Sequence, residues 1–413
     1  MSHAAPSSES VSDVKLKGRN ICVIYDCVFP LTFGGAERWY RVLVDRLVET
    51  GATVTYLTRR QWPIEPPTWA GVDTIAVSGA SELYDSEGTR RTGPALAFGT
   101  GTFYWLLRHR REFDAVVVAS FPFFSLLAAR VALAGTRTPI FVDYFEVWSS
   151  KYWRFYAGRF TGTLGAAVQK LCIGVTHFAQ VFAEENARRL RALSFRGDVA
   201  ILAGLLPGVR MEAVASTSPP EDPVVLFVGR HVKYKGVGLL PAILAAARVS
   251  IPNLKMVVVS DGPERAGVES EMIRLGLIGA VVFTGPVSDD ELPHLFAKAS
   301  CTIVPSLREG YGIVVAESVS AGTPVVVADN PENLATGLVE SGINGFVVNP
   351  SIHAMAEGIA AVIVAGYPLR RSAAEWSVQH SAKKSMDRSA NEMVERLSAF
   401  AGNRPPRRHK RRH

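Results

Sequence analysis

Two glutamates eight positions apart, Glu309 and Glu317, stand in the segment Pro305-Ser306-Leu307-Arg308-Glu309-Gly310-Tyr311-Gly312-Ile313-Val314-Val315-Ala316-Glu317. The apolar run from Cys301 to Val304 predicts a strand just before the first carboxylate, and a helix is expected to hold the second. Between them, Gly310 and Gly312 leave the backbone N–H groups open to close approach. A helix N-terminus of this kind suits a diphosphate. A carboxylate beside it suits the hydroxyls of a sugar or a ribose. Glutamates at this spacing also occur on solvated helix faces, so the pair takes its meaning from what accompanies it.

Upstream, Val224 to Gly229 reads as a buried strand. It runs into Arg230, His231, Val232, Lys233, Tyr234, Lys235 and Gly236. An arginine and a lysine fixed just past a strand end form a clamp for two phosphates; taken alone, such a loop is also an ordinary solvated turn. Near the start of the chain, Gly34-Gly35-Ala36-Glu37 lies between a predicted strand (Asn20 to Asp26) and a predicted helix (about Glu37 to Thr50). A glycine pair there is either a plain tight turn or a place where backbone approaches an anion. A third concentration follows Pro139: Tyr144, Phe145, Trp148, Tyr152, Trp153, Phe155, Tyr156 and Phe160, interleaved with Lys151, Arg154 and Arg159. Such rings stack on sugars, sit at membrane interfaces, or fill a core under a loop.

The elements that must position these groups alternate. Further strands are predicted at Thr53 to Thr58, Ala115 to Ala119 and Pro139 to Tyr144, and again at Lys255 to Val259, Ala280 to Phe283, Thr302 to Val304 and Pro324 to Ala328, with helical segments between. That alternation predicts α/β architecture: two Rossmann-like, doubly wound domains in series, each with a parallel sheet covered on both faces. Residues 1–18 read as a disordered leader, 19–207 as the first domain, 208–223 as a Pro- and Ser-rich linker and 224–370 as the second domain. Residues 371–401 read as one long helical region and 402–413 as a disordered tail.

At 413 residues, with 48% hydrophobic and 20% charged residues, the chain has the composition of an ordinary globular protein of two or three domains. Six of its seven net positive charges lie in the last ten residues, so the body is nearly neutral. The tail is expected to contact an anionic membrane surface; nucleic acid is not expected, because no nucleic-acid module accompanies it. Cys22, Cys27, Cys172 and Cys301 form no C-x-x-C pair and read as buried, reduced thiols of a cytoplasmic protein. The first nineteen residues lack an apolar core, so no signal peptide is expected. Pro122 and Arg130 interrupt the longest apolar stretch, Ala115 to Gly135, which therefore reads as strand, turn and helix rather than a membrane span.

The pair Gly-Arg-x4-Lys-Gly and Glu-x7-Glu resembles the donor half of the retaining glycosyltransferases of GT-B architecture, glycosyltransferase family 4 (glycosyl transferases group 1). The likeness continues in Ser260-Asp261-Gly262-Pro263, Phe283-Thr284-Gly285, Gly322-Thr323-Pro324-Val325-Val326 and Asn344-Gly345-Phe346. It implies two domains facing across a cleft, with the C-terminal helix crossing back over the first. Carried onto these positions, it implies a nucleotide-sugar donor bound by Gly34, Gly35, Arg230, Lys235, Val287, Glu309, Gly310, Tyr311, Gly312, Ile313 and Glu317. Arg230 and Lys235 would neutralise the leaving diphosphate, Glu309 would bind the donor sugar, and Glu317 the ribose. The stretch Asp143-Tyr144-Phe145-Glu146-Val147-Trp148 looks like a subgroup pattern, Asp-x-His-Glu-x-Trp, found in members tied to envelope glycans. The resemblance places Tyr144, Phe145, Glu146 and Trp148 on the acceptor or sugar side. The pattern's His, which the resemblance implies helps hold the sugar and phosphate, is here Phe145.

The activity so implied is sugar transfer with retention of configuration, to a glycan, lipid-linked or other envelope acceptor, by a cytoplasmic enzyme peripheral on the inner face of the plasma membrane. No Asp-x-Asp occurs, no metal ligands are assigned, and no cofactor or essential metal is expected. A catalytically silent binding partner of the same fold is the main alternative, and a nucleotide-sugar epimerase a weaker one. A dinucleotide oxidoreductase would need Gly-x-Gly-x-x-Gly, which the pairs at Gly99/Gly101 and Gly236/Gly238 do not complete.

Overall fold

The structure is a computed structural model that describes residues 16–32, 34–85, 90–206 and 222–401. Its first sheet has seven strands: β1 (Asn20–Ile24), β2 (Thr53–Arg59), β3 (Val72–Ser78), β4 (Ala115–Ala119), β5 (Ile140–Tyr144), β6 (Phe178–Val181) and β7 (Asp198–Ile201). They lie in the order β3-β2-β1-β4-β5-β6-β7, and all pairs are parallel. The second sheet has six parallel strands: β8 (Val224–Val228), β9 (Lys255–Val259), β10 (Val281–Gly285), β11 (Cys301–Val304), β12 (Val325–Ala328) and β13 (Gly345–Val348). Their order is β10-β9-β8-β11-β12-β13. Uniformly apolar runs such as Ala-Val-Val-Val-Ala in β4, buried at every residue, are what a parallel sheet covered on both faces requires.

Helices α1 (Gly35–Glu49), α2 (Thr92–His109), α3 (Phe123–Ala132), α4 (Ser150–Ala157), α5 (Arg159–Val175) and α6 (Glu184–Ala192) belong to the first domain. The second contains α7 (Leu240–Ser250), α8 (Arg265–Arg274), α9 (Glu291–Lys298) and α10 (Ile313–Ser320). Two helices close the chain, α11 (Ile352–Lys384) and α12 (Met386–Ala401). One apolar core runs without a break from Leu43, Leu47 and Val54 of the first domain to Val315, Val319 and Val325 of the second. Met386, Met393 and Leu397 of α12 join it. The chain end thus crosses back: α12 packs on α1, and the Phe400 ring meets Phe141 and Phe178.

Three sequence expectations need correction. The leader is shorter at its inner end: Leu16 is buried in the core, and its amide donates to the Thr50 carbonyl at 3.1 Å. Residues 371–401 are not one helix, because Ser385 is extended (ψ 155°) and separates α11 from α12. Strands β3, β6, β7 and β13 were not anticipated. The rest of the leader (1–15), most of the linker and the basic tail (402–413) lie outside the described residues. The stretch from Ala115 is strand, turn and helix, β4 then α3, and all four cysteines are buried without a disulfide. Residues Ile352–Ser381 are long and apolar enough to cross a membrane by length and composition. Gly366 breaks that stretch, however (φ 55°), and Met355, Ile359, Val362 and Leu369 are built into the second-domain core.

Asp143, in β5, is wholly buried, and its Oδ2 accepts from Trp39 Nε1 at 3.0 Å. Burial pushes its carboxyl up to about 7, an effect that the Trp39 hydrogen bond only partly offsets. The fold therefore holds this proton more tightly than the unfolded chain does. The stabilisation is complete below about pH 4, the ordinary Asp range, and is lost as pH rises through about 7. Urea titrations of Asp143→Asn are expected to lack that share of the decline, on the order of a few kcal/mol. Parallel stability–pH curves for the two proteins would show that Asp143 is ionised in the fold.

Candidate functional site

In each sheet the strand order reverses beside the first strand of the domain, between β1 and β4 and between β8 and β11. Open α/β sheets bind ligands at the carboxyl ends of the strands at such a point. The Gly34-Gly35 loop follows β1, Arg230 follows β8, and Glu309 follows β11, so the topology brings all three to one crevice. There two helix N-termini meet, α1 beginning at Gly35 and α10 at Ile313. A Cβ on Gly35 would fall 2.1 Å from Ile313 Cδ1, so the two helix starts are in contact here, and a larger residue would have to push the Ile313 side chain aside. Gly34 is extended (φ −179°), and its backbone does not require glycine. Each N-terminus presents unpaired N–H groups and the positive end of a helix dipole; two of them meeting at one crevice favour an anion beside them.

The basic pair lies at the same mouth. Lys235 Nζ donates to both Glu309 oxygens, at 2.7 and 2.8 Å, and Ser306 Oγ donates to Glu309 Oε1 at 2.7 Å. Burial opposes the lysine's charge, but the Glu309 carboxylate more than offsets it and holds its pKa above the usual value. Arg230 Nη2 donates to Tyr234 Oη at 3.0 Å. Its guanidinium lies 4.1 Å from the ring centre of Tyr84, which comes from the first domain.

Glu317 is held across the cleft by a residue that the sequence reading missed. Arg38, one turn into α1, donates to Glu317 through Nη1 and to Asp289 through Nη2 at 2.5 Å. Burial pushes the Glu317 carboxyl above its usual range, and Arg38 partly offsets this. Arg38 directly follows Gly34-Gly35-Ala36-Glu37, and that adjacency was the available signal. Val287, in the loop after β10, is half-buried against the second-domain core. Tyr311 sends its ring into the interdomain core, and its hydroxyl lies beside Gly204. What Tyr311 can offer the crevice is therefore backbone.

The expected acceptor side is rearranged. Tyr144 does not face the cleft: it is buried, with its hydroxyl 2.9 Å from Thr176 Oγ1. As the last residue of β5, it points into the core by strand alternation. Phe145 points the other way, stacked on Phe182 at 5.3 Å and edge-on to Tyr40 at 6.0 Å. Trp148 Nε1 donates to Glu146 Oε2 at 2.6 Å. Its ring covers Arg308, whose guanidinium sits 4.3 Å from both Trp148 and Tyr234 and 5.3 Å from Tyr152. Rings from both domains thus hold one cation at the base of the cleft. Gly310 lies against this wall, where a Cβ would meet Glu146 Cγ at 2.5 Å. Behind the same rings Arg90, whose amide donates to Tyr156 Oη at 3.2 Å, is paired with the buried Asp26. Neither Arg308 nor Arg90 was singled out from sequence. Among the described residues no three His, Cys, Asp or Glu side chains gather as metal ligands.

Residues 211–376 match the family described as glycosyl transferases group 1. The chain is 29% identical over 199 residues to D-inositol 3-phosphate glycosyltransferase of Mycobacterium avium, 46% of this chain and 45% of that protein. It spans between 30% and 45% of the length of the curated relatives it matches. Its fold is similar to sucrose-phosphate synthase of Thermosynechococcus elongatus, with a TM-score of 0.78 at 20% identity over 93% of this chain and all of that one. It is also similar to Anabaena HepE in complex with UDP-glucose, with a TM-score of 0.66 at 17% identity over 92% and 99% of the two chains. The two facing Rossmann-like domains are a GT-B fold.

Proposed function

We propose that this chain, whose residues 211–376 match the glycosyl transferases group 1 family, is a retaining glycosyltransferase of family 4. It would move a sugar from a nucleotide-sugar donor to a glycan, lipid-linked or other envelope acceptor. One observation carries the reading: two helix N-termini, a lysine, an arginine and two carboxylates converge on one crevice between the domains.

The donor diphosphate would lie beside the starts of α1 and α10, against their backbone N–H groups and against Arg230 and Lys235. A phosphate that recruits Lys235 would release Glu309 to accept from hydroxyls of the donor sugar, while Glu317 accepts from the ribose. In the transfer step the bond from C1 to the phosphate oxygen breaks, and its electron pair goes to the leaving diphosphate. The acceptor hydroxyl bonds C1 from the same face and passes its proton to the leaving phosphate oxygen. Fixed positive groups around that oxygen stabilise the charge developing there, and no protein nucleophile is needed. No metal enters this scheme, so activity is expected to survive EDTA.

The direct test is thermal unfolding with GDP-, UDP-, ADP- and TDP-sugars. A donor at one hundred times its Kd is expected to raise stability by about 2.7 kcal/mol. No shift with any nucleotide would overturn the reading. Arg38 supplies a related expectation. The ribose must displace it from Glu317, and a partly exposed ion pair contributes about 0.5–1 kcal/mol. Arg38→Ala should therefore bind the nucleotide two- to fivefold more tightly (roughly, by that figure). Weaker binding would mean that Arg38 helps hold the donor.

The enzyme is further proposed to work at the inner face of the plasma membrane, where Arg404 to His413 add salt-sensitive attraction to anionic lipid. That attraction is about 1 kcal/mol per basic residue at most. Unchanged vesicle binding at low salt after neutralising the tail would remove it as a contact.

A further inference from the structure

Helix α5 has two apolar stripes, and its neighbours cover one of them. Gly162, Gln169, Cys172 and Ile173 are buried as α5 packs on α3 and α4. On another face Phe160, Leu164, Ala167 and Leu171 recur at helical spacing, with Phe160 85%, Leu164 59% and Leu171 55% exposed. Helix α4, which meets α5 at Gly158, adds Phe155 at 69% exposure. The exposed rings cannot be drawn inward, because the space between the helices is filled. A Cβ on Gly162 would meet the Trp153 carbonyl oxygen at 2.3 Å, and one on Gly165 the Trp153 ring at 2.5 Å.

Charge identifies what this face meets. No Asp or Glu occurs between Glu146 and Glu184, whereas Lys151, Arg154, Arg159 and Lys170 all do, and all four are exposed. A second copy of the chain is a poor partner, since a two-fold contact would set this patch of cations against itself. Exposed phenyl and leucyl groups flanked by lysine and arginine match the headgroup layer of an anionic bilayer, which takes apolar groups at its acyl boundary and holds cations at its surface.

We infer that the α4–α5 face docks on an anionic lipid bilayer. The docking depends on neither donor nor acceptor and is separate from the basic tail, which supplies charge alone. Its use in catalysis rests on the transferase reading. The inner side of α4 gives Tyr152 and Tyr156 to the Arg308 cluster at the cleft, so docking would set the cleft beside the membrane, where a lipid-linked acceptor would lie.

The test uses the full chain with phosphatidylcholine vesicles, with and without phosphatidylglycerol, and no sugar nucleotide. The triple variant Phe155→Ser, Phe160→Ser, Leu164→Ser is expected to lose about tenfold or more in partitioning to anionic vesicles. Replacing Lys151, Arg154, Arg159 and Lys170 by Gln should abolish the preference for phosphatidylglycerol that remains when the tail cations are also Gln. Phe160→Cys carrying an environment-sensitive dye should shift to the blue on anionic vesicles, which reports insertion even if the triple variant folds poorly. Unchanged partitioning of a folded triple variant, or a dye that stays in water, overturns the inference. So does light scattering that shows a dimer which the triple substitution dissociates while vesicle binding is absent. Because nothing here reads sugar transfer, docking and transferase activity can fail independently.

Discussion

Alanine at Arg230 or at Lys235 is expected to lower turnover by about 10²–10³, the loss seen when one fixed donor to a developing oxyanion is removed. Both groups reach the crevice from the short segment after β8, and both are held before any ligand arrives: Lys235 on Glu309, Arg230 on Tyr234 and Tyr84. Such preorganisation matters most when charge builds on the leaving group, so the loss should appear in kcat beyond any change in nucleotide affinity. Lys235→Ala also leaves the Glu309 carboxylate without its cation, so the fold must be checked separately by thermal unfolding. Near-wild-type turnover in either variant would remove the clamp from the mechanism.

Gly312→Val is expected to lower stability by roughly 2–5 kcal/mol, combining a left-handed backbone with overpacking. Gly312 has φ 95°, and a Cβ there would meet the Ala335 Cβ at 2.3 Å and its Cα at 2.8 Å. Backbone and a buried methyl are the obstacles, and neither can swing aside. The residue caps α10, whose N-terminus forms one wall of the crevice, so nucleotide binding should weaken along with stability. Urea unfolding measures the first effect and isothermal titration the second. A variant as stable as wild type would mean that the turn before α10 is not fixed by glycine.

Much of this crevice was legible because its parts are local. Val224 to Gly229 followed by Arg230, and Cys301 to Val304 followed by Glu309, each place a strand end and a functional side chain within a few residues of sequence. The elements that escaped notice carry weaker local signals. β3 is an edge strand with no fully buried residue, β7 is half exposed, and β13 is a four-residue strand that starts at a glycine directly after the turn at 342–344. The charges that escaped notice act at long range. Arg38 meets Glu317 across 279 positions, and Arg90 meets Asp26 across 64, pairings that no spacing rule contains. Tyr144 was misplaced for a different reason. In the run Asp143-Tyr144-Phe145-Glu146, adjacent side chains point to opposite sides of a strand end, and composition alone does not say which side is the cleft.

Phe145 bears most directly on whether this crevice catalyses transfer. Its ring is stacked on Phe182, where it can exclude water and pack against a sugar but can neither donate nor accept a proton. In the mechanism proposed above, the histidine of the resembled pattern would position the sugar and form no bond. Losing one such hydrogen bond costs a few kcal/mol at most, against a total acceleration of at least about 8 kcal/mol. The decisive measurement supplies the sugar-nucleotide panel with a glycan and lipid-linked acceptor pool and compares the wild type with Phe145→His. It reads transferred sugar, its anomeric configuration and released nucleotide. Acceptor-dependent nucleotide release with retention by the wild-type chain is the expected result. Transfer by Phe145→His and none by the wild type would make the natural protein a silent relative of the transferases it resembles and contradict the account.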